Sequence, residues 1–308
     1  MGEKTMDGIL NIYKERGFTS HDVVAKLRGI CKTRRIGHTG TLDPDAEGVL
    51  PVCIGRATKL CERLTDKQKE YRAVMRLGVV TDTQDMSGAI LSETSVNVSE
   101  DEVIREINSF IGKYDQIPPM YSALKVNGKK LYELARAGQV VERQARQVEI
   151  LYINIEEIHL PMVTMTVGCS KGTYIRTLCH DIGQALGCGG AMESLMRTKS
   201  GQFSLENSLK LSQVQEIVDE GRLAEILLPP DRLFEQNERA VVKESGEKLL
   251  YNGNPMPITL LEVEKSEEMF ADGEGIRIYD RTGSFIGFYL YQKSRQMFKP
   301  EILFLGKE

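Results

Sequence analysis

The chain has 308 residues, 41% of them hydrophobic and 27% charged, with a formal net charge of −4. That balance is ordinary for a folded globular protein with one large and one smaller domain, and it excludes the disordered and fibrous classes. No apolar run approaches the ~18 residues needed to span a bilayer, and Met1 to Asp7 lack the apolar core of a secretory signal, so the cytoplasm is the expected compartment.

Six cysteines (Cys31, Cys53, Cys61, Cys169, Cys179, Cys188) form no C-x-x-C pair, and none of the four histidines stands at a paired spacing. The thiols read as reduced packing residues, and a transition-metal site is not expected. Net charge alone argues against nucleic acid, but its distribution does not. Residues 1–36 carry a balance of +4 and residues 214–275 one of −9, so everything outside that acidic block sums to +5. A cationic body with an acidic segment suits a polyanion bound on one side.

In chain order, Asp7 to Ile12 reads as a short strand. Thr19-Ser20-His21-Asp22 offers N-cap chemistry for a helix carrying Val23, Val24 and Leu27. Gly37 to Pro51 follows, with three glycines and two prolines in fifteen residues, and reads as a shaped loop instead of a regular element. Within it Pro44 pushes Asp43 toward an extended backbone, and Lys32, Arg34, Arg35 and His38 lie just upstream. An acid beside four potential cations serves a turn, a surface ion cluster or a reaction on an anionic substrate.

Tyr71 to Leu77 alternates as a half-buried strand, with Tyr71, Ala73, Met75 and Leu77 facing inward. Ser99-Glu100-Asp101-Glu102 is a capping box opening a helix whose apolar stripe is Val103, Ile104, Ile107, Phe110 and Ile111, ending near Gly112. A proline-stiffened loop, Gln116 to Lys125, runs into the basic patch Lys125, Lys129 and Lys130. Gln147–Leu160 and Met162–Val167 read as adjacent strands, and Thr173 onward as a helix with Ile175, Leu178, Ile182 and Leu186. The five residues from Met192 to Met196 read as helix packing. Leu228-Pro229-Pro230 ends the larger unit, and Ile276–Tyr279 with Phe285–Tyr291 signals a hairpin in a small C-terminal β module. The chain shows no internal repeat or low-complexity tract.

Asp43 on its loop, Tyr71 at a strand start, and Ser170 to Arg176 at a strand-to-helix junction are the pieces that can meet at one site. Asp43, Asp45 and Glu47 would line one face only in a strand, which Pro44 and Gly48 oppose, so a metal cluster is not expected. Asp82 and Asp85, in Thr81-Asp82-Thr83-Gln84-Asp85, read as a turn that can reach the site's edge. Tyr174 reads equally as core at the start of an apolar helix.

Gly37-His38-Thr39-Gly40-Thr41-Leu42-Asp43-Pro44 with Gly48-Val49-Leu50-Pro51 resembles the catalytic-loop motif of the bacterial TruB-type tRNA pseudouridine-55 synthases. The resemblance continues in order through Gly55 to Lys59, Lys69 to Arg72, Leu77-Gly78, Thr81 to Thr83, Pro118 to Lys125 and Cys169 to Arg176, covering most of the first ~230 residues. It implies an α/β pseudouridine-synthase fold with a central mixed sheet over residues 1–236, and a small PUA-like RNA-binding module over 237–308. It implies isomerisation of uridine to pseudouridine at position 55 in the T arm of tRNA, without cofactor or metal, by a monomeric enzyme free of membranes. Asp43 then corresponds to the catalytic aspartate and Arg176 to the arginine that pairs with it, through a bidentate fork that lysine lacks. Tyr71 corresponds to the tyrosine packed on the target base, Tyr174 and Leu195 to the uridine pocket, and His38 to an RNA contact where the nucleotide leaves its stack. The rival expectations are a tRNA-folding factor that needs no chemistry, and a guide-RNA-dependent relative acting on ribosomal RNA.

Overall fold

A computed structural model describes residues 6–126 and 128–305; residues 1–5, part of the start read for a signal, lie outside the described residues. The first half runs β1 (Gly8–Lys14), α1 (Ser20–Ile30), β2 (Ile36–His38), β3 (Glu47–Ile54), α2 (Cys61–Thr65), β4 (Lys69–Leu77), β5 (Val79–Thr81), β6 (Ile90–Glu93) and α3 (Glu100–Ser109). Next come β7 (Gly112–Gln116), β8 (Lys125–Val126), β9 (Lys129–Lys130), α4 (Leu131–Arg136), β10 (Arg146–His159) and β11 (Met162–Cys169). The larger unit closes with α5 (Ile175–Ala185), β12 (Gly190–Ser200), β13 (Phe203–Ser204) and α6 (Leu211–Asp219).

These elements build one sheet in the order β1-β3-β12-β4-β11-β10-β7, with β2 added to β3 and β13 to β12. The β3–β12 pair is parallel and its neighbours antiparallel, so the sheet is mixed. Alternation along β4 buries Tyr71, Ala73, Met75 and Leu77 under α3 and α5, as expected from its period of two. On the β1–β3 end, Leu10, Ile12, Leu50 and Val52 pack against Val23, Val24 and Leu27 of α1 and Val214 of α6.

Both capping expectations hold. Thr19 and Asp22 exchange hydrogen bonds with each other's backbone amides, as do Ser99 and Glu102. The stripe on α3 is narrower than its sequence suggests: Val103 and Ile107 are buried, but Ile104 and Ile111 are exposed. Ile111 lies past the helix end at Ser109, and Ile104 faces out because the sheet covers only one side. Glycine is required where elements meet closely. A Cβ on Gly48 would sit 2.3 Å from the Arg197 carbonyl oxygen at the parallel β3–β12 contact, and one on Gly183 would sit 2.2 Å from the Gly190 nitrogen, where α5 lies on β12.

The C-terminal segment forms a separate sheet from β14 (Glu238–Val242), β15 (Met256–Pro257), β16 (Leu261–Glu262), β17 (Gly275–Tyr279), β18 (Phe285–Gln292) and β19 (Met297–Leu303), ordered β15-β19-β18-β17-β14-β16. It does not hang free. Phe288 and Phe304 join Ile9, Val49, Leu60 and Phe234 in one buried cluster, with the Phe234 and Phe288 rings stacked at 4.2 Å and the Arg63 guanidinium over both. Lys59 donates to the Leu303 carbonyl at 2.6 Å, and Arg56 to that of Phe304. Phe288→Ala is therefore expected to destabilise the chain by about 3–5 kcal/mol, the usual loss for a buried phenylalanine. Denaturant unfolding checks this, and the loss should appear in probes on both sheets because the cluster is shared.

Candidate active site

The Asp43 loop is shorter than the sequence suggests. Only residues 39–46 are irregular, since Ile36–His38 and Glu47–Ile54 are strands β2 and β3, with Pro51 paired opposite Asn11. Pro51 is accommodated because its carbonyl, not a missing amide, makes the neighbouring bonds: it accepts from the Thr39 amide and the Thr39 hydroxyl, each at 3.1 Å. Ser20 Oγ accepts from the Leu42 amide at 2.9 Å, and the Gly17 amide donates to the Pro44 carbonyl at 2.9 Å.

Two buried cations grip the loop from beneath. Lys14 Nζ donates to the carbonyls of Ala46 at 2.5 Å and Pro44 at 3.2 Å, and Arg197 donates to those of Val49 at 2.6 Å and Gly40 at 3.3 Å. Sequence reasoning singled out neither. The available signal was phase: Lys14 follows Leu10 and Ile12, and Arg197 follows Leu195, each at the inward step of its strand. Burial pushes Lys14 down to about 8, against the pull of Asp43, Asp45 and Glu47 and with the Arg197 charge adding to the fall.

Asp43 stands at the loop's crest with 39% of its side chain open, within 3.3 Å of Arg176. Arg176 is buried in the first turn of α5, and its fork is not spent on Asp43 alone, correcting the bidentate expectation. Nη2 reaches both Asp43 oxygens, at 3.4 and 3.3 Å, and the Tyr121 carbonyl at 2.6 Å; Nη1 reaches Asp85 Oδ2 at 3.3 Å. One guanidinium thus joins the Asp43 loop, the turn at Asp85 and the segment after β7. Asp85 is itself held by the Thr83 hydroxyl at 2.8 Å and the Ser87 amide at 3.0 Å. The Asp43 carboxyl is raised above its usual value, mainly by desolvation; Arg176 and Lys14 oppose this, and Asp85 and Asp45 add to it. Its open face admits solvent, and the Arg176 charge favours the ionised form against the burial.

Tyr71, at the head of β4, pairs across the sheet with Arg197 and Val167. Burial raises its hydroxyl, Arg197 opposes, and the Asp43 charge adds to the rise. Tyr174 caps α5, its amide and carbonyl both bonded to the Gln116 side chain, and its phenol is likewise raised by burial and by Asp43. Leu195 packs in the cluster holding Leu42, Ala46 and Tyr71, but on strand β12, not on a helix. The helical reading failed because β12 shifts register between Met192 and Ser194, which buries Met192 and Leu195 three apart. His38 stands apart from this group. Its ring meets His21 edge-on at 5.2 Å, its Nδ1 is buried without a partner, and burial with the His21 and Arg197 charges lowers its pKa.

Among the described residues, no group of three His, Cys, Asp or Glu side chains has the geometry of a metal site. All six cysteines are free, four of them buried. No helix among the described residues is long and apolar enough to cross a membrane.

An acid on a loop pinned by backbone hydrogen bonds, within 3.3 Å of a buried arginine, marks the candidate site. Residues 28–175 match the family model for the N-terminal domain of TruB family pseudouridylate synthases, and residues 176–235 that for a tRNA pseudouridylate synthase B C-terminal domain. The chain is 51% identical to the tRNA pseudouridine synthase B of Lachnoclostridium phytofermentans, over 97% of this chain and all of that protein. It is 43% identical to that of Clostridium tetani, over 96% and 98%. Its fold superposes on a chain of a crystallised Cbf5-Nop10-Gar1 complex with a TM-score of 0.72 and 27% identity, covering 97% of this chain and 85% of the other. The chain belongs to the TruB family of pseudouridylate synthases.

Lys14→Met keeps the stem but leaves the loop carbonyls without their donor, which should cost about 1–3 kcal/mol of stability and lower turnover. The pH dependence has a fixed sign. Folded Lys14 titrates near 8 and free lysine near 10.5, so the folded chain binds fewer protons between those values. The stability advantage of the native chain over Lys14→Met should widen as pH rises through that window, measured by urea unfolding.

Proposed function

We propose that the chain isomerises uridine to pseudouridine at position 55 in the T arm of tRNA. The observation that carries this reading is Asp43, open to solvent yet held 3.3 Å from a buried arginine, on a loop that backbone bonds fix in place. The names of its relatives support tRNA as the substrate. In the proposed reaction the N1–C1′ bond of the uridine breaks, the base turns, and a C5–C1′ bond forms as C5 gives up its proton and N1 takes one up. No atom is gained or lost. Asp43 either attacks C1′ or removes a sugar proton to give a glycal, and both routes use the ionised carboxylate. Arg176 stabilises that charge, Tyr71 packs on the base, and Tyr174 and Leu195 line the pocket. His38 contacts the RNA where the nucleotide has left its stack, an extrusion costing a few kcal/mol that stacking offsets.

We assign the isomerase unit to residues 1–236 and a PUA-like RNA-contacting module to 237–308. The exposed Lys125, Lys129 and Arg136 beside the Tyr121 segment are suited to phosphate contact. We place the enzyme in the cytoplasm with its tRNA, acting as a monomer without cofactor.

Asp43→Asn should abolish product while tRNA affinity stays within a few-fold, read by nucleoside chromatography and filter binding. Substantial turnover in that variant would remove Asp43 from the chemistry and favour the RNA-folding reading. Arg176→Lys should lose most activity despite keeping its charge, because one ammonium cannot span Asp43, Asp85 and the Tyr121 carbonyl in a plane; full activity would place Arg176 outside the reaction.

The rate should fall on acidification as Asp43 protonates. In Asp85→Asn the acid limb should move to lower pH, because a like charge that raises the Asp43 pKa is gone. A pH–rate profile at saturating RNA checks the direction, and an upward move would contradict it.

A further inference from the structure

Asp85 meets Arg176 through a turn that is unusual in its own right. Gln84, immediately before Asp85, adopts a left-handed backbone with φ +66°, one of three non-glycine residues to do so among the described residues. Such a conformation persists only where its surroundings over-determine it. Here the restraints are specific. The Thr177 hydroxyl, buried in the first turn of α5, donates to Gln84 Oε1 at 2.7 Å. The Met192 amide donates to the Gln84 carbonyl at 3.0 Å, and the Met86 amide returns a bond to the Met192 carbonyl at 3.0 Å. Asp85 therefore lies against β12 as a parallel bridge at Met192, beside the shift that also sets Leu195.

The contacts form two adjacent rungs. Arg176 and Thr177, consecutive on α5, grip Asp85 and Gln84, consecutive in the turn. The charged rung reaches Asp43; the neutral rung carries no ionisable group. We infer that Gln84 and Thr177 are a pair of positioning residues, whose side-chain hydrogen bond holds Asp85 on Arg176 and so keeps the other arm of that guanidinium on Asp43. Without the neutral rung, the turn relaxes from its left-handed conformation and Asp85 withdraws. Arg176 is then free to swing both nitrogens toward Asp43, which changes the angle and the charge environment of the carboxylate without removing any group from the site.

This rests on the pseudouridine synthase reading, and its test separates the two. Thr177→Val removes the hydroxyl and keeps the shape, Thr177→Ser keeps the hydroxyl, and Gln84→Gly removes the amide while tolerating positive φ. Single-turnover rates are measured on a T-arm hairpin containing uridine, with hairpin affinity measured in parallel. Thr177→Val and Gln84→Gly should each lower the saturated rate about tenfold, the scale of a small misplacement of a reacting group, with affinity within about twofold. The double variant should be no slower than either single one, and Thr177→Ser should recover most of the rate. In both slow variants the acid limb should shift to lower pH. The groups that act electrostatically on the Asp43 carboxylate are Arg176, Asp85, Lys14 and Asp45, with the Tyr71 and Tyr174 phenols also coupled to its charge, and only Asp85 and Arg176 are displaced.

An unchanged rate in Gln84→Gly overturns the inference, even if Thr177→Val fails to fold. So do losses that multiply in the double variant, or a Thr177→Ser enzyme as slow as Thr177→Val. If the native chain itself forms no pseudouridine, the functional reading fails. The pair is then judged by carbon-13 carboxyl titration of Asp43 in the free proteins, where equal downward shifts in the two variants support it and no shift refutes it.

Discussion

A buried guanidinium cannot remain unpaired, and in this chain that requirement organises the site. Arg176, in the first turn of the helix that packs on β12 and β4, has little access to water, and each of its terminal nitrogens must find an acceptor. The acceptors it finds come from three segments far apart in sequence: Asp43 from the β2–β3 loop, Asp85 from the turn before β6, and the Tyr121 carbonyl after β7. Desolvation makes the cation demand these partners, and the partners in turn fix the backbone around a carboxylate that still faces solvent. The same interaction that stabilises the junction thus holds the acid in place.

The loop beneath Asp43 repeats the device with carbonyls in place of carboxylates. Among the described residues, Lys14 and Arg197 are buried with no carboxylate in hydrogen-bonding contact, and they donate to backbone oxygens of the loop and of Val49 in β3. Buried charge on one side and orphan carbonyls on the other are each costly alone, and together they leave the 39–46 segment one arrangement. The role proposed for Asp43 needs such rigidity, because misplacement of a reacting group costs rate more steeply than it costs binding.

Much of this was legible in sequence where a single period governed. The strand from Tyr71 to Leu77 and the helices opened by Thr19 and Ser99 follow local rules, and Asp43 and Arg176, 133 residues apart, lie 3.3 Å from each other. What was illegible depends on partners distant in sequence. Met192, Leu195 and Met196 have helical spacing, and only the register shift against β4 makes them strand. Gly37 to Pro51 is rich in turn residues, yet most of Gly48 to Pro51 is zipped between β1 and its neighbours. Lys14 and Arg197 look like ordinary strand-end cations until the loop folds over them. Asp85 lay in a segment readable as a plain turn, and its tie to Arg176 spans 91 residues.

The most direct measurement is site-resolved nucleoside analysis of an unmodified tRNA transcript incubated with the purified chain, beside a transcript carrying cytidine at position 55. The account predicts one pseudouridine per native transcript, at position 55, formed with no added cofactor, and none in the substituted transcript. Pseudouridine at another position in both transcripts, or none in either, would contradict it.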